Sequence, residues 1–464
     1  MLSATSSSKP AVVIVGAGVF GLSTAYHLLE RGYTDLIVLD RAEHLPAIDA
    51  ASTDMNKVVR SCYGDLEYTR LARQAIQEWR KDMWQSCYHE CGVLNLGVAY
   101  TEQSFNNDLK EGAKVERLGS AESIRAQFPS GFRDSDRIGT FTSLDVSSTS
   151  YINHDGGWAE AKRAVSILME HVKKCGVKVL PGKAVQELTK DERGQTRGVR
   201  CADGSEYGAD VVVLALGSWT ASAFPSLNLM GKCLATGQSV ATIQLTSEEA
   251  EEYRSTPVVL DFRTGFYVFP PTHCNVVKFA IHAAGHTHTV PGSTISTPRT
   301  IISHPDVGLR VPRSALKELR VQLRSVYPAL AEKPFSGTRM CWYTDSPDGD
   351  WVIGRYPGDS GLFLATSGSG HAFKVRLFTS HFYFPSPLYL TVMTGYVGTF
   401  HFVKQRLDRK LVVDAMEDKL DPELAARFAV DREVKSHNGE RISVVVQELN
   451  IDELCEPEDL TPIF

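Results

Sequence analysis

The chain has 464 residues, 43% of them hydrophobic, and a formal net charge of −6. That length exceeds one simple core and points to two domains, and the acidic balance leaves no global basic footprint for nucleic acid. Nine cysteines, an odd number without CxxC pairing or zinc spacing, argue for a reduced intracellular protein with no metal site.

The Ser-rich start, Met1 to Lys9, lacks the charged and apolar regions of a secretory signal. The first predicted element is the apolar run Ala11 to Val15, which reads as a buried strand. It leads into Gly16-Ala17-Gly18-Val19-Phe20-Gly21. In that pattern Gly16 allows the tight turn, Gly18 lets the backbone approach a phosphate, and Gly21 lets a helix pack closely on the strand. The helix is predicted from Gly18 to Glu30, with Leu22, Ala25, Leu28 and Leu29 at helical spacing and Gly32 ending it. Its N-terminal amides and dipole attract a pyrophosphate. A second strand, Leu36 to Leu39, ends at Asp40, about 20 residues beyond the glycines, where an acid suits ribose hydroxyls. Strand, helix, strand and acid together specify dinucleotide binding. A lone GxGxxG would leave open a Gly-rich turn in another α/β protein.

Residues 66–84 carry Leu71, Ala72, Ala75, Trp79 and Met83 at helical intervals. Gly156 to Lys174 is predicted as an amphipathic helix opened by a glycine pair. Short strands follow at Val177–Leu180, Ala184–Leu188 and Thr196–Cys201, and then the apolar run Ala209 to Leu216 closes on Gly217. A second buried strand of that kind is frequent in flavoproteins of the glutathione-reductase type and favours FAD over NAD. Val240–Leu245, Gly265–Phe269 and Val276–Ala280 read as strands of an inserted β-rich domain. A helix lies within Asp306–Tyr327. Gly361 to Gly370 is again a strand followed by a Gly-rich turn.

Four motifs stand in one order: the GxGxxG; Asn56-Lys57-Val58-Val59-Arg60-Ser61-Cys62-Tyr63-Gly64; Cys341-Trp342-Tyr343-Thr344; and Ser369-Gly370-His371-Ala372-Phe373-Lys374. In that order they resemble the D-amino-acid-oxidase superfamily, and within it the sarcosine oxidase, saccharopine (pipecolate) oxidase and fructosyl-amino-acid oxidase group. The resemblance covers roughly residues 10–374 and resumes near 411–430. It implies an α/β fold in which an FAD-binding Rossmann-like domain (10–87, 151–230 and 339–430) is interleaved with a β-sheet-rich substrate domain (88–150 and 231–338). Residues 431–464 read as an acidic, loosely ordered tail.

The resemblance also implies roles. Cys341 matches a cysteine that bonds covalently to the flavin; its plainer reading is a buried structural thiol. Arg60 and Lys374 match the pair that holds a substrate carboxylate, for which a guanidinium fork and an ammonium are chemically suited. The plainer reading is a surface salt bridge for Arg60 and a solvated lysine for Lys374. Lys278 matches the lysine that activates oxygen, where a fixed positive charge stabilises superoxide as it forms; alternation alone equally allows an outward-facing lysine. His282 and Tyr343 are pocket candidates, and Tyr63 is a weaker one. Gly16, Gly18, Val19, Phe20, Gly21, Asp40, Arg41, Asn56, Lys57, Val185, Gly217, Gly368, Gly370 and Lys374 are expected around the FAD.

The expected activity is oxidation of a secondary amine of an amino acid to an imine, with oxygen reduced to hydrogen peroxide. The motif Val58 to Asp65 resembles the saccharopine/pipecolate and sarcosine group more than the fructosyl-amino-acid group. The partners implied are a small amine and oxygen, with no nucleic acid and no membrane, for a monomer or weak oligomer. The C-terminal Leu460 to Phe464 is not a peroxisomal tripeptide, so a cytoplasmic location is expected. The alternatives are a flavin-linked dehydrogenase serving a protein electron acceptor, or a catalytically dead flavoprotein. The last arises from residues 375–409, where the familiar pattern breaks. Leu377 to Val403 contains no Asp, Glu, Lys or Arg. That stretch reads as an insert from a gene-model error, before a buried or partner-contacting insert or a membrane span.

Overall fold

The computed structural model describes residues 9–133, 135–141, 149–376, 411–434 and 446–462. The anomalous segment 375–409 lies outside the described residues except for the end of the short helix Phe373–Arg376. Among the described residues no helix is long and apolar enough to cross a membrane.

β1 (Val12–Val15) runs into α1 (Val19–Glu30) and returns as β2 (Leu36–Leu39). Val12 and Ile14 pack into one apolar cluster, Val13 and Val15 into another. That is the alternation expected of a strand buried between two layers. The sheet has six strands in the order Val352–Tyr356, Asp359–Thr366, Val211–Leu214, β1, β2, Lys178–Leu180. Neighbours are parallel except the first pair. The apolar run closing on Gly217 is therefore the direct neighbour of β1, with Val15 opposite Leu214. Gly16, Asp40 and Gly217 all lie just beyond the carboxyl ends of these strands, where open α/β sheets bind ligands.

The second layer is a ten-stranded sheet. Its spine, Leu234–Gln244, pairs antiparallel with Val276–Ile281 on one side and Gly337–Asp345 on the other. The register sets Lys278 opposite Thr242, Ala280 and Arg339 opposite Val240, Cys341 opposite Gln238, and Tyr343 opposite Thr236. Because successive side chains alternate, Lys278, Ala280, Arg339, Cys341 and Tyr343 share one face. Val277, Phe279, Met340 and Trp342 enter the core behind the sheet, with Leu316, Leu319 and Leu323 of the helix Arg313–Val326.

Several elements differ from the sequence reading. The helix expected from Gly156 begins at Ala161, and Gly157–Ala159 is a strand. The glycine pair serves close strand packing: a Cβ on Gly157 would sit 2.0 Å from the His89 carbonyl oxygen. Tyr151–Asn153 and Gly337–Asp345 belong to the ten-stranded sheet, so that sheet takes a strand starting at 151 and another that spans 339. The described part of the acidic tail is packed. Gln447–Glu448 adds a strand beside His286–Thr287, and Leu449, Leu454 and Cys455 are buried in the core behind the large sheet. Its exposed acids masked those three apolar anchors.

Candidate active site

Two cavities meet between the sheets. The larger, about 560 Å³, runs from the glycine loop to the face of the ten-stranded sheet, a size suited to a cofactor-sized ligand. Gly16 has φ +111°, and a Cβ there would lie 2.4 Å from the Ala215 carbonyl oxygen; one on Gly21 would lie 1.9 Å from the Gly16 oxygen. Any larger residue at either position would push the loop off its neighbouring strand and helix. Gly18 caps α1, and Gly18, Val19 and Phe20 line the cavity, so the amides of the first helical turn are poised for an anion. Asp40 lines it too, while its carboxylate accepts from Ala17 N at 2.7 Å and Ala42 N at 2.9 Å. Burial raises the Asp40 pKa against those bonds. Arg41 stacks over the Trp219 ring at 4.2 Å and bonds Asp49 at 2.7 Å. Val185, Gly217, Gly368 and Gly370 line the cavity as expected, whereas Asn56, Cys341 and Lys374 do not. Gly21 lies behind it.

The smaller cavity, about 90 Å³, is lined by all five candidate catalytic side chains: Arg60, Lys278, His282, Tyr343 and Lys374. Lys57, Tyr343, Gly370 and Phe373 line both cavities and so mark their junction. A Cβ on Gly370 would fall 2.6 Å from the Tyr343 ring and 2.9 Å from the His282 ring. The glycine lets the Gly-rich turn lie flat against both. The remaining wall is largely aromatic, with Phe262, Phe266, Tyr267 and Phe269 beside Val58, Leu260 and Asp261, whose carboxylate accepts from Arg263.

Arg60 and Lys374 are both buried and both lie against one ring. The guanidinium is 4.6 Å from the centre of Tyr63 and the ammonium 4.8 Å. Arg60 donates to the Cys62 carbonyl, and Lys374 to the His371 carbonyl at 3.0 Å. Burial, and then the neighbouring Arg60 charge, holds the Lys374 pKa well below its ordinary value. Tyr63 does not line the cavity; it is the platform beneath the two cations. Its hydroxyl lies 3.2 Å from Nδ1 of His371, whose Nε2 is 3.0 Å from the Gly349 oxygen. With Nε2 donating to that carbonyl, Nδ1 accepts from Tyr63.

Lys278 is 1% exposed, which excludes an outward-facing lysine. Its Nζ donates to Asp54 Oδ2 at 2.5 Å and to the Asn56 oxygen at 2.8 Å. Burial lowers its pKa to about 8, with Asp54 opposing. Lys57 donates to the same Oδ2 at 2.8 Å and lies 3.7 Å from Cys341 Sγ. Cys341 is buried beside Val240 and Ala280, with Tyr343 packed against the cluster. Trp342 and Tyr343, the next two residues of its strand, contribute to the larger cavity, and Cys341 itself does not line it. The Asn56 side chain is fully buried, and neither its nitrogen nor its oxygen finds a partner among the described residues.

Asp54 was not among the sequence candidates. The signal was an acid three residues before Lys57, but spacing alone does not reveal its second partner 224 residues away. The aromatic wall from Phe262 to Phe269 was likewise unreadable by motif.

Residues 11–377 match the family model described as DAO, FAD dependent oxidoreductase. The chain is 32% identical over 386 residues to L-saccharopine oxidase of Schizosaccharomyces pombe, covering 78% of this chain and 86% of that protein. It is 25% identical over 380 residues to N-methyl-L-tryptophan oxidase of Escherichia coli, covering 78% and 91%. A thermally stable mutant of fructosyl peptide oxidase superposes with a TM-score of 0.78 at 25% identity, over 97% of this chain and 99% of the other.

Proposed function

This chain belongs to the DAO family of FAD-dependent oxidoreductases, and we propose that it oxidises the secondary amine of an amino acid to an imine, with oxygen reduced to hydrogen peroxide. The observation that carries the reading is the pair of buried cations on one tyrosine ring at the wall of the smaller cavity. Burial and the Arg60 charge disfavour the Lys374 ammonium, and an anion between the two groups restores it. A substrate carboxylate is that anion, bound bidentately by Arg60 and reinforced by Lys374. The similarity to L-saccharopine oxidase and N-methyl-L-tryptophan oxidase, both named for amino-acid substrates, supports the same substrate class.

The residues present fit FAD. The glycine loop admits close backbone approach, the larger cavity reaches the sheet face, and Asn56 offers a buried amide in need of partners. Bound FAD supplies an acceptor for the hydride equivalent on the carbon beside nitrogen. Gly16, Gly18 and the first turn of α1 would hold its pyrophosphate, Asp40 its ribose, and Lys57, Tyr343 and Gly370 would border its ring at the junction. The carboxylate clamp orients the amine toward that junction, with His282 and Tyr343 beside it. The aromatic wall excludes water and favours the neutral amine that the reaction needs. Lys278 presents positive charge where oxygen gains electrons. Water then hydrolyses the imine, or the imine cyclises.

Cys341 is assigned the covalent thioether to the flavin. The Lys57 ammonium lies 3.7 Å from its sulfur, at the junction where the ring would sit. Acid precipitation tests this directly: yellow colour is expected to stay with the pellet, and to move to the supernatant in Cys341→Ala. Anaerobic bleaching by N-methyl amino acids, pipecolate or saccharopine, followed by peroxide release in air, tests the activity. A protein whose flavin none of these reduces would sink the reading.

A further inference from the structure

Four cationic side chains converge on the junction, and one carboxylate stands among two of them. Asp54 Oδ2 accepts from Lys278 Nζ at 2.5 Å and from Lys57 Nζ at 2.8 Å. Lys278 is buried and Lys57 partly buried, and both line the smaller cavity. Asp54 is itself buried, and its second oxygen accepts from the Met55 amide at 2.8 Å. Arg339, on the strand that carries Cys341, adds a further positive charge toward it. Tyr267, Tyr343 and Cys341 are the other titratable groups in range. Despite the burial, the ammonium groups of Lys278 and Lys57 hold the Asp54 carboxyl below the usual carboxylate range.

We propose that Asp54 is a positioning residue for the oxygen-consuming half of the reaction: one carboxylate oxygen ties Lys278 and Lys57 into a single charged unit and keeps Lys278 protonated at the edge of the substrate cavity. The inference rests on the oxidase reading above. Without the carboxylate, two ammonium groups face each other with only neutral acceptors, and one sheds its proton. A neutral Lys278 offers no fixed charge to the superoxide that forms as oxygen takes its first electron. The same oxygen atom also links Lys278 to the group beside Cys341, so a change at Lys57 is felt at Lys278.

The test uses the holoenzyme with its flavin reduced by light rather than by an amine, then mixed with oxygen between pH 6 and 9. In the parent protein the reoxidation rate is expected to fall as pH rises through about 8, as Lys278 loses its proton. Loss of an opposite charge in contact shifts a pKa by about 1–3 units. Asp54→Asn therefore moves the midpoint below 8 and slows reoxidation at pH 8 by at least about fivefold. Lys57→Met, alone or added to Asp54→Asn, removes the like charge and moves the midpoint back up. A second readout needs no oxygen. The urea midpoint of Asp54→Asn is expected to rise with pH in a window below 8, because there the unfolded chain binds the Lys278 proton that the folded state has lost. That slope vanishes in Asp54→Asn/Lys278→Met. Unmoved midpoints in both Asp54→Asn and Lys57→Met overturn the proposal. So does a rate loss that is uniform in pH and untouched by Lys57→Met, which would make Asp54 merely structural. Light reduction keeps the two ideas separable: failure of every amine counts against the oxidase reading, while the Asp54 comparison is still measured.

Discussion

Replacing Arg60 by Met separates binding from folding in one experiment. Its guanidinium and the Lys374 ammonium each lie within 5 Å of the Tyr63 ring centre. They are thus no more than roughly 9.5 Å apart, and with Lys374 protonated they repel by at least about 1.7 kcal/mol at an effective dielectric of ~20, which is part of what disfavours that protonated form. Removing Arg60 relieves that repulsion. It also removes the hydrogen bond to the Cys62 carbonyl, a loss of about 1–3 kcal/mol. The two nearly offset, so folding stability is expected to change by no more than about 1.5 kcal/mol. Substrate binding loses a bidentate charge-assisted pair worth roughly 2–4 kcal/mol, so KM for a carboxylated amine rises about 30-fold to 1,000-fold. An amine lacking the carboxylate is expected to be equally poor for parent and variant. The assay is peroxide release over a substrate series, beside a urea melt of each protein. A KM that rises less than threefold with stability intact would refute the clamp. A stability loss above about 3 kcal/mol would show Arg60 to be chiefly structural.

Other substitutions follow from the same geometry. Gly370→Ala places a Cβ against Tyr343 and His282 at a φ of +75° and is expected to cut kcat/KM at least tenfold, on the order of 1.4 kcal/mol; an unaltered value would mean that neither ring's position matters. Gly16→Ala pushes the loop off Ala215 and is expected to yield colourless protein on purification. Lys278→Met is expected to slow flavin reoxidation by on the order of 100-fold and to abolish the fall in that rate above pH about 8; a dehydrogenase serving a protein acceptor would instead show little change. Leu454→Ala, at a buried position of the C-terminal segment, is expected to lower stability by about 2–4 kcal/mol. A loss below 1 kcal/mol in urea would show that the segment does not share the core.

The legible part of this protein is local. The glycine loop, α1, β2 and Asp40 could be read because each position answers a backbone demand within about 30 residues. The turn at Gly16 and the helix contact at Gly21 are such demands. The strand Val211–Leu214 and the centre of Asp359–Thr366, residues Leu362 to Ala365, could be read because burial on both faces makes those runs apolar. What could not be read is long-range register. Whether Lys278 faced solvent or the site depended on which residue of Leu234–Gln244 it opposed, and no period within Val276–Ile281 encodes that. Asp54 escaped for the same reason: its meaning lies in a partner on another sheet. The glycine pair at 156–157 misled because glycine before an amphipathic run looks like a helix start, while here it answers the nearby His89 carbonyl.

The distribution of charge around the junction explains why one site can handle two different anions. Arg60 and Lys374 share a tyrosine platform and donate to carbonyl oxygens, and burial beside Arg60 disfavours the Lys374 ammonium until a carboxylate joins them. Lys57 and Lys278 share a single carboxylate, so that pair carries about one net positive charge before any ligand binds. The first arrangement depends on substrate and is costly when empty; the second is permanent. A permanent charge suits a neutral molecule such as oxygen, which brings none of its own and gains it only during reaction, because the stabilising field must already be in place. A charge completed by substrate suits binding, because it rewards only the ligand that supplies the missing anion. On this argument the Arg60–Lys374 and Lys57–Lys278 pairs are not interchangeable. Exchanging their surroundings, by placing an acid beside Lys374, is expected to weaken carboxylate binding without improving the reaction with oxygen.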